Sequence, residues 1–294
     1  MSAAFSVCEV CGADRPRFLL SSPKLDGPLV RCRSCGLVYV GERTGDFTFS
    51  AADADRSTAL AERVAELGIV RPEVEEAERP CHLEADRERL RWLLRYADPG
   101  GSLLDVGCSL GTFLEVARES FSVTGLEPDP GTSSQARAAG LRVETATLDT
   151  FSPDGTFDLV TMFHVIEHLQ SPSRALQRVH ELLRPGGVLV VETPCVDSAW
   201  FRLTKSRWRQ LIPDHYFFFS RATLERLLRQ RGFEPLGYTK VGRRATLRFV
   251  ADRLRRSGAP MSAQLPALLR ALHLEEKTVY VTPGDIMSIV ARAR

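Results

Sequence analysis

The segment from residue 102 onward alternates short apolar runs with amphipathic helical patterns, and this alternation limits the possible folds more than any other feature. Runs such as "SLLDVG", "FSVTGLE" and "FDLVTMF" predict strands, and "GTFLEVARES", "GTSSQARAAG" and "SPSRALQRVHELL" predict helices between them. Repeated strand–helix units of this length indicate a parallel sheet covered by helices on both faces. The sequence therefore predicts an α/β fold.

The end of the chain departs from this alternation. Two strand-like segments, "EPLGYTKVG" and "GDIMSIVARA", flank a Pro- and Arg-rich insertion at 251–285, with no regular crossover-helix pattern between them. Strands joined without a crossover helix favour antiparallel pairing. We expect these two strands to form an antiparallel pair at one edge of the sheet.

The first 44 residues have a cysteine pattern of their own. Four of the seven cysteines form two C-x-x-C pairs, each followed by a glycine (Gly12 and Gly36) that permits a tight turn. This spacing is typical of a zinc ribbon, and four thiolate ligands leave no open position for chemistry. The sequence predicts a structural zinc ion bound by Cys8, Cys11, Cys32 and Cys35.

Residues 45–98 are charge-rich and helical in pattern, and two prolines, Pro72 and Pro80, interrupt them. One helix is predicted within "ADRSTALAERVAELG" (54–68), and a second precedes the turn "DPGG". The predicted organisation is a ribbon at 1–44, a helical linker or cap at 45–98, and a main domain at 99–294 that contains the insertion.

Composition favours a soluble, cytoplasmic protein without a membrane partner. The first residues show no secretory signal pattern, and no apolar run reaches the ~18–20 residues of a membrane span. The net charge is +2, but residues 202–256 contain fifteen Lys and Arg against four acids, a local net of +11. Such a stretch either attracts an anionic partner or solvates amphipathic helices.

A glycine-containing turn between the first strand and helix of the main domain predicts a nucleotide-type ligand. The spacing from Gly107 to Gly111 fails the G-x-G-x-x-G fingerprint of NAD-binding proteins. Instead, Asp105 ends the first strand and Glu127 ends the second, where a carboxylate can accept ribose hydroxyls. These four residues all lie at the carboxyl ends of predicted strands, which indicates one shared binding site.

At this point the chain resembles the class I S-adenosylmethionine-dependent methyltransferases. "LLDVGCSLG" is similar to their first motif, "VTGLEPD" to the acidic end of strand two, and "TFDLVTMFHVIEHL" to strand four and its exit. "LLRPGGVLVVETP" is similar to the helix–strand unit that follows strand four in the family. "DHYFFFSRATLERLLRQRGF" resembles a segment common in a bacterial small-molecule subgroup with an N-terminal four-cysteine ribbon. The resemblance implies a Rossmann-like, seven-stranded, mostly parallel sheet with an antiparallel last strand, and S-adenosylmethionine as the cofactor.

The resemblance also implies site residues, with two departures from the family pattern. Ser109 replaces a frequent glycine, and "ETATLDTF" (144–151) lacks the acidic residue that many members place after strand three to bind adenine. The nearest substitutes there are Leu148 and Asp149. The implied cofactor-binding set is Asp105, Gly107, Ser109, Gly111, Glu127, Leu148, Asp149 and Phe163.

The segment "HVIEHL" (164–169) and a later histidine supply candidate catalytic groups. Methyl transfer to a hydroxyl or acidic carbon requires removal of a proton, and His164, His168 and His215 are the candidate bases. Together with Glu167 these histidines are also a candidate divalent-metal site, similar to that of plant small-RNA 2′-O-methyltransferases. An inverted zinc protease shares the H-x-x-E-H spacing but requires a long helix, whereas here a buried-type strand precedes the segment.

Aromatic residues interleaved with arginines between 200 and 219 lie where this fold builds its acceptor pocket, although a Phe-rich run is also typical of a core. We predict methyl transfer to a small anionic molecule, such as a sugar nucleotide or a biosynthetic intermediate. The alternatives are an RNA methyltransferase that binds RNA through its ribbon and basic stretch, and a non-catalytic cofactor-binding scaffold.

Overall fold

The predicted alternation of strands and helices is present in the computed structural model, which describes residues 7–25, 27–41, 78–256 and 262–294. The helix predicted within 54–68 lies outside these residues. The strands are β1 Pro16–Leu20, β2 Leu29–Cys32, β3 Val38–Val40, β4 Ser102–Val106, β5 Ser122–Leu126, β6 Val143–Glu144, β7 Phe157–Phe163, β8 Leu183–Pro194, β9 Phe217–Phe218, β10 Phe233–Lys240, β11 Arg243–Thr246, β12 Thr278–Val281 and β13 Ile286–Ala293.

The helices are α1 Arg79–Leu93, α2 Thr112–Ala117, α3 Pro130–Ala138, α4 Pro172–Leu182, α5 Ala199–Thr204, α6 Arg221–Gln230, α7 Leu247–Arg256 and α8 Leu265–Ala271. Local sequence explains where several of them begin. The side chains of Asp129 and Ser171 cap α3 and α4, and each helix then begins with a proline, whose missing N–H is not needed there. Ser220 and Thr223 form a reciprocal capping box at α6.

The main sheet has seven strands in the order β10-β13-β8-β7-β4-β5-β6. Strands β6, β5, β4, β7 and β8 are parallel, whereas β13 runs antiparallel to both β8 and β10. The predicted fold class, with its antiparallel last strand, is therefore confirmed. The carboxyl ends of the five parallel strands lie at one edge of the sheet, where ligands bind in folds of this type.

Apolar residues pack on both faces of this sheet. In β4, Leu104 and Val106 lie in one core cluster and Leu103 lies in the other. In β7, Met162 and Leu159 divide in the same way. Burial on both faces explains why these strands are almost continuously apolar.

The N-terminal strands do not stand apart from the rest of the chain. β1, β2 and β3 form an antiparallel sheet, and β9 pairs with β3 through Phe218 and Phe217 to complete four strands. The described part of the insertion at 251–285 contains the end of α7, the helix α8 and the strand β12, which pairs with β11 just before the insertion, so it is more regular than its composition indicates. Among the described residues, no helix combines the length and the apolar character needed to cross a membrane.

Asp285 joins the start of β13 to the segment that leads into β9. Its side chain is fully buried and accepts hydrogen bonds from Trp208 Nε1 at 3.0 Å and from Arg209 Nε at 2.9 Å. Its backbone oxygen accepts from the Cys195 amide. These bonds fix the position of the segment that carries His215.

We expect Asp285→Ala to lower the free energy of unfolding by ~1–3 kcal/mol, because the buried Trp208 N–H loses its acceptor. Arg209 is partly exposed, so water can hydrate its guanidinium after the substitution. Urea denaturation followed by circular dichroism measures this change. The exposed Asp98→Ala is the control and should change stability by less than ~0.5 kcal/mol. Equal stabilities of the two variants would contradict this account.

Candidate functional site

Asp105 ends β4 beneath the glycine-containing turn. Its side chain is 3% exposed and accepts a hydrogen bond from Thr161 Oγ1 at 2.7 Å. Burial raises the pKa of Asp105 to about 7, against the opposing effect of the Thr161 bond. The carboxyl group is thus held rigidly by the neighbouring strand β7.

The turn after β4 has three residues with positive φ: Gly107 at 70°, Ser109 at 50° and Gly111 at 80°. A Cβ atom on Gly107 would lie 2.6 Å from Val165 Cγ2, and one on Gly111 would overlap the side chain of Leu141. Both glycines are therefore required by packing as well as by backbone conformation. Ser109, the departure noted in the sequence, adopts a conformation that glycine adopts more readily.

Glu127 follows β5 and faces this turn. Its Oε2 accepts from the Ser109 amide and its Oε1 from the Asp129 amide, each at 3.0 Å. Burial raises the pKa of Glu127, and the two amide bonds oppose that rise. Each carboxylate oxygen retains a lone pair for a further donor. Hydrogen bonds thus join the glycine-containing turn to Glu127 at the end of β5, two positions that the sequence analysis assigns to one site.

Leu148 and Asp149, the candidates for adenine contact, differ in their exposure to solvent. Leu148 is buried and its backbone oxygen accepts from Arg178 Nε at 3.4 Å. The Asp149 carboxylate is largely exposed and lies 3.2 Å from Arg174 Nε. Their assignment stays a prediction.

Phe163 is the last residue of β7. Its ring packs edge-on against Phe113 in α2, with ring centroids 4.8 Å apart. The guanidinium carbon of Arg89, from α1, lies 5.0 Å from the centroid of the Phe163 ring. The end of β7 is therefore enclosed by residues of α1 and α2.

His164 follows Phe163 with a φ of 56° and lies between two buried carboxylates. Its Nδ1 is 3.2 Å from Glu167 Oε1, and its Nε2 is 3.4 Å from Glu192 Oε1. Burial alone would lower the pKa of His164, but the two carboxylates outweigh it and raise the pKa to about 9. About a third of the side chain is exposed, so solvent reaches the ring.

Glu192, Arg89 and Asp86 belong to this site, although sequence reasoning did not select them. Arg89 bonds Glu192 through Nε at 3.2 Å and through a second nitrogen, and it also contacts Asp86 Oδ1 at 2.6 Å. Burial would raise the pKa of Glu192, but Arg89 and His164 lower it to about 2. A charged residue within the apolar run "VLVVETP" is a signal that points to Glu192; the charge-rich α1 contains no comparable signal for Arg89.

His168 and His215 form a second group on the far side of Glu167. Their rings meet edge-on with centroids 4.6 Å apart. Burial would lower the pKa of His168 but Asp214 raises it, whereas burial lowers the pKa of His215 to about 4. One ligand-type atom from each of Glu167, His168 and His215 lies within 4.8 Å of the other two. His164 contacts Glu167 but is not in this group.

The four cysteines of the predicted ribbon come together. Cys8 Sγ is 3.4 Å from Cys35 Sγ, Cys11 Sγ is 3.5 Å from Cys32 Sγ, and all four atoms lie within 4.8 Å of one another. Four zinc–sulfur bonds of ~2.3 Å in a tetrahedron place the sulfur atoms at separations similar to those of these four cysteines. The thiol arrangement therefore fits the ion that the spacing predicts.

The aromatic residues between positions 200 and 219 lie mainly in the hydrophobic core. Phe217, Phe218, Phe219 and Trp208 are each 1% exposed or less, whereas Trp200 is 40% exposed. Several arginines of the basic stretch also have local partners: Glu225 pairs with two of them on α6, and Asp285 holds another. Arg202 and Arg207 are among the exposed arginines of this region.

Comparison with known proteins identifies the family. A methyltransferase domain family matches residues 76–237, more than half of the chain. A probable S-adenosylmethionine-dependent methyltransferase of Mycolicibacterium smegmatis is 35% identical over 144 residues, which are 46% of this chain and 52% of that protein. The chain thus spans about half the length of this relative. A ubiquinone biosynthesis O-methyltransferase of Vibrio parahaemolyticus is 27% identical over 55% of this chain and 76% of that protein.

The solved structures agree in fold. A Thermotoga maritima structure, described as an S-adenosylmethionine-dependent methyltransferase and possible histamine N-methyltransferase, superposes with a TM-score of 0.51. It covers 82% of this chain and 97% of its own at 20% identity, which supports the fold alone. With the family match and the geometry at the sheet edge, the chain belongs to the S-adenosylmethionine-dependent methyltransferases.

Proposed function

We propose that this protein transfers the methyl group of S-adenosylmethionine to a small anionic acceptor, and that His164 removes the acceptor's proton. The observation that carries the proposal is the joined set at the sheet edge. Hydrogen bonds join the Gly107–Gly111 turn to the end of β5 and to Glu127, and Asp105 precedes this turn in β4, where Thr161 holds its side chain. The proposed cofactor-binding residues are those that the sequence predicts.

Each part of this set has a separate task. The cofactor supplies an electrophilic methyl group on a sulfonium. Glu127 accepts hydrogen bonds from the ribose hydroxyls, and the two glycines allow the methionine part to approach the backbone. Asp105, which accepts a hydrogen bond from Thr161 in β7, lies just before the turn in the chain. Accurate placement of the reacting groups contributes a large part of the rate in such an in-line displacement.

His164 lies at the exit of β7, beside this set. Because Glu167 and Glu192 favour the protonated ring, His164 must release its proton before it acts as a base. The same two carboxylates then stabilise the imidazolium that forms as the acceptor loses its proton. His168 and His215, also candidate bases by sequence, are less exposed than His164 and have their own partners.

The acceptor is proposed to be small and anionic because Arg202 and Arg207 are exposed and lie close in the chain to the exposed Trp200. An aromatic surface next to guanidinium groups suits a planar acceptor that carries a phosphate or carboxylate. The local pairing of other arginines argues against one continuous face for RNA. We also propose that the four clustered cysteines hold a structural zinc ion, since their separations suit tetrahedral coordination.

Replacing Glu127, the proposed hydrogen-bond acceptor for the ribose hydroxyls, should weaken cofactor binding. We expect Glu127→Gln to lower the affinity for S-adenosylhomocysteine about 10- to 100-fold, because a hydrogen bond to a charged group contributes ~1.5–3 kcal/mol. Isothermal titration calorimetry measures this change. Glu119→Gln, an exposed glutamate beyond the far end of α2, is the matched control and should bind normally. The proposal would be contradicted if S-adenosylhomocysteine did not bind the native protein, or if Glu127→Gln and Glu119→Gln bound it with equal affinity.

The class of acceptor can be tested with methyl-labelled S-adenosylmethionine. We expect label to enter small molecules from a panel of sugar nucleotides and phenolic carboxylates, and not total RNA. Arg202→Ala combined with Arg207→Ala should raise KM for the acceptor about tenfold, the effect of losing ~1.4 kcal/mol of charge-assisted binding. The exposed Arg118→Ala serves as the control. Label found only in RNA, with binding that weakens steeply as salt rises, would favour the alternative.

A base role for His164 predicts a selective loss of turnover. With an acceptor from that panel, His164→Gln should lower kcat by ~10²–10⁴-fold, the usual contribution of general base catalysis. Affinity for S-adenosylhomocysteine should stay within twofold. His273→Gln removes an exposed histidine and provides the control. An unchanged kcat would exclude His164 as the base.

A further inference from the structure

We propose that Glu167, His168 and His215 bind one divalent transition-metal ion, separate from the four-cysteine cluster. These residues come from the turn after β7 and from the segment before β9, so the ion would connect two parts of the chain. One ligand-type atom from each lies within 4.8 Å of the others, a separation that modest side-chain adjustment converts into coordination. The set of two imidazoles and one carboxylate suits zinc and similar ions.

The hydrogen bonds of the two histidines determine which ring nitrogens face the ion. His168 Nδ1 lies 2.9 Å from Asp214 Oδ2 and 3.0 Å from the Asp214 backbone oxygen, and His215 Nδ1 lies 2.9 Å from the Gln210 backbone oxygen. Carboxylate and carbonyl oxygens only accept, so Nδ1 must carry the hydrogen in both rings. In the neutral rings the lone pair is then on Nε2, available to a metal.

This arrangement is the one that metal-binding histidines adopt. A ligating imidazole almost always donates its other N–H to a carboxylate or a backbone carbonyl, which fixes the ring orientation and raises the basicity of the ligand nitrogen. His168 has the carboxylate partner and His215 has the carbonyl partner. Ordinary packing of two histidines would not require both partners to lie at Nδ1.

The third ligand is also held in place. Glu167 is fully buried, and its Oε2 accepts from Thr193 Oγ1 at 2.9 Å while its Oε1 contacts His164 Nδ1. Each oxygen keeps a lone pair beyond these bonds. The Glu167 carboxylate is therefore held in position and still has lone pairs available to bind an ion.

The charge of the surroundings favours a cation here. Four carboxylates, each at least four-fifths buried, lie in this region, against the single charge of Arg89, which contacts two of them, and the protonated ring of His164, which contacts Glu167 and Glu192. The four are Asp86, Glu167, Glu192 and Asp214. A divalent ion between Glu167 and the imidazoles offsets the remaining negative charge in a poorly solvated environment.

Three protein ligands leave a fourth position for water or for an acceptor oxygen. Because His164 contacts the same Glu167, such an oxygen would lie near the proposed base. A role of the ion in holding the acceptor oxygen rests on the proposed function, whereas the binding of the ion to the protein does not.

The test is zinc content after removal of metal with a chelator and reloading with zinc, measured by mass spectrometry. We expect His215→Ala and His168→Ala to hold one zinc per chain fewer than the native protein. His180→Gln, a partly buried histidine outside the group, should hold the native amount. Zinc content of His215→Ala and His168→Ala equal to the native value would overturn the proposal.

Two measurements guard against misfolded variants. Asp214→Asn keeps all three ligands and should weaken the zinc affinity of this site ~10–100-fold, the usual effect of changing a ligand's hydrogen-bond partner. In native crystals soaked with zinc, anomalous scattering should show a peak between Glu167, His168 and His215; the absence of that peak would refute the site. S-adenosylhomocysteine binding is measured on the same samples, so loss of the metal site and failure of the proposed function are recorded separately.

Discussion

The buried carboxylate of Glu192 is where three parts of the chain meet. Arg89 reaches it from α1, which precedes the main sheet, and His164 reaches it from the turn after β7. A buried carboxylate within an apolar strand segment is unfavourable unless it is paired and hydrogen-bonded. The positions of α1 and of the His164 turn therefore depend on one another, because each supplies a partner that makes the burial of Glu192 tolerable.

The same principle governs Glu167, which lies between His164 on one side and the His168–His215 pair on the other. Thus β8, through Glu192, and the turn after the neighbouring β7, through Glu167, carry buried acids where the parallel sheet ends. This edge is where methyl transfer is proposed to occur, and the charges there are held by contacts within the protein. Preorganised charges of this kind stabilise a transition state without reorganisation during the reaction.

The cofactor end of the site has a different physical basis. There the chain relies on backbone conformation: positive φ values at Gly107 and Gly111 let the turn fold against Val165 and Leu141, and the amide of Ser109 reaches Glu127. Local sequence determines most of this arrangement. It was therefore accessible from residue types and spacing, whereas the charged network was not.

By itself, the sequence determined the alternation of strands and helices, the convergence of Asp105 with Glu127, and the clustering of the four cysteines. Each follows from local periodicity or spacing, since the carboxyl ends of parallel strands must meet at one edge. Only the tertiary structure decided that Arg89 pairs with Glu192 and that His164 stands apart from His168 and His215. Those contacts join segments far apart in sequence, and helix packing and strand order, which no local pattern encodes, bring them together.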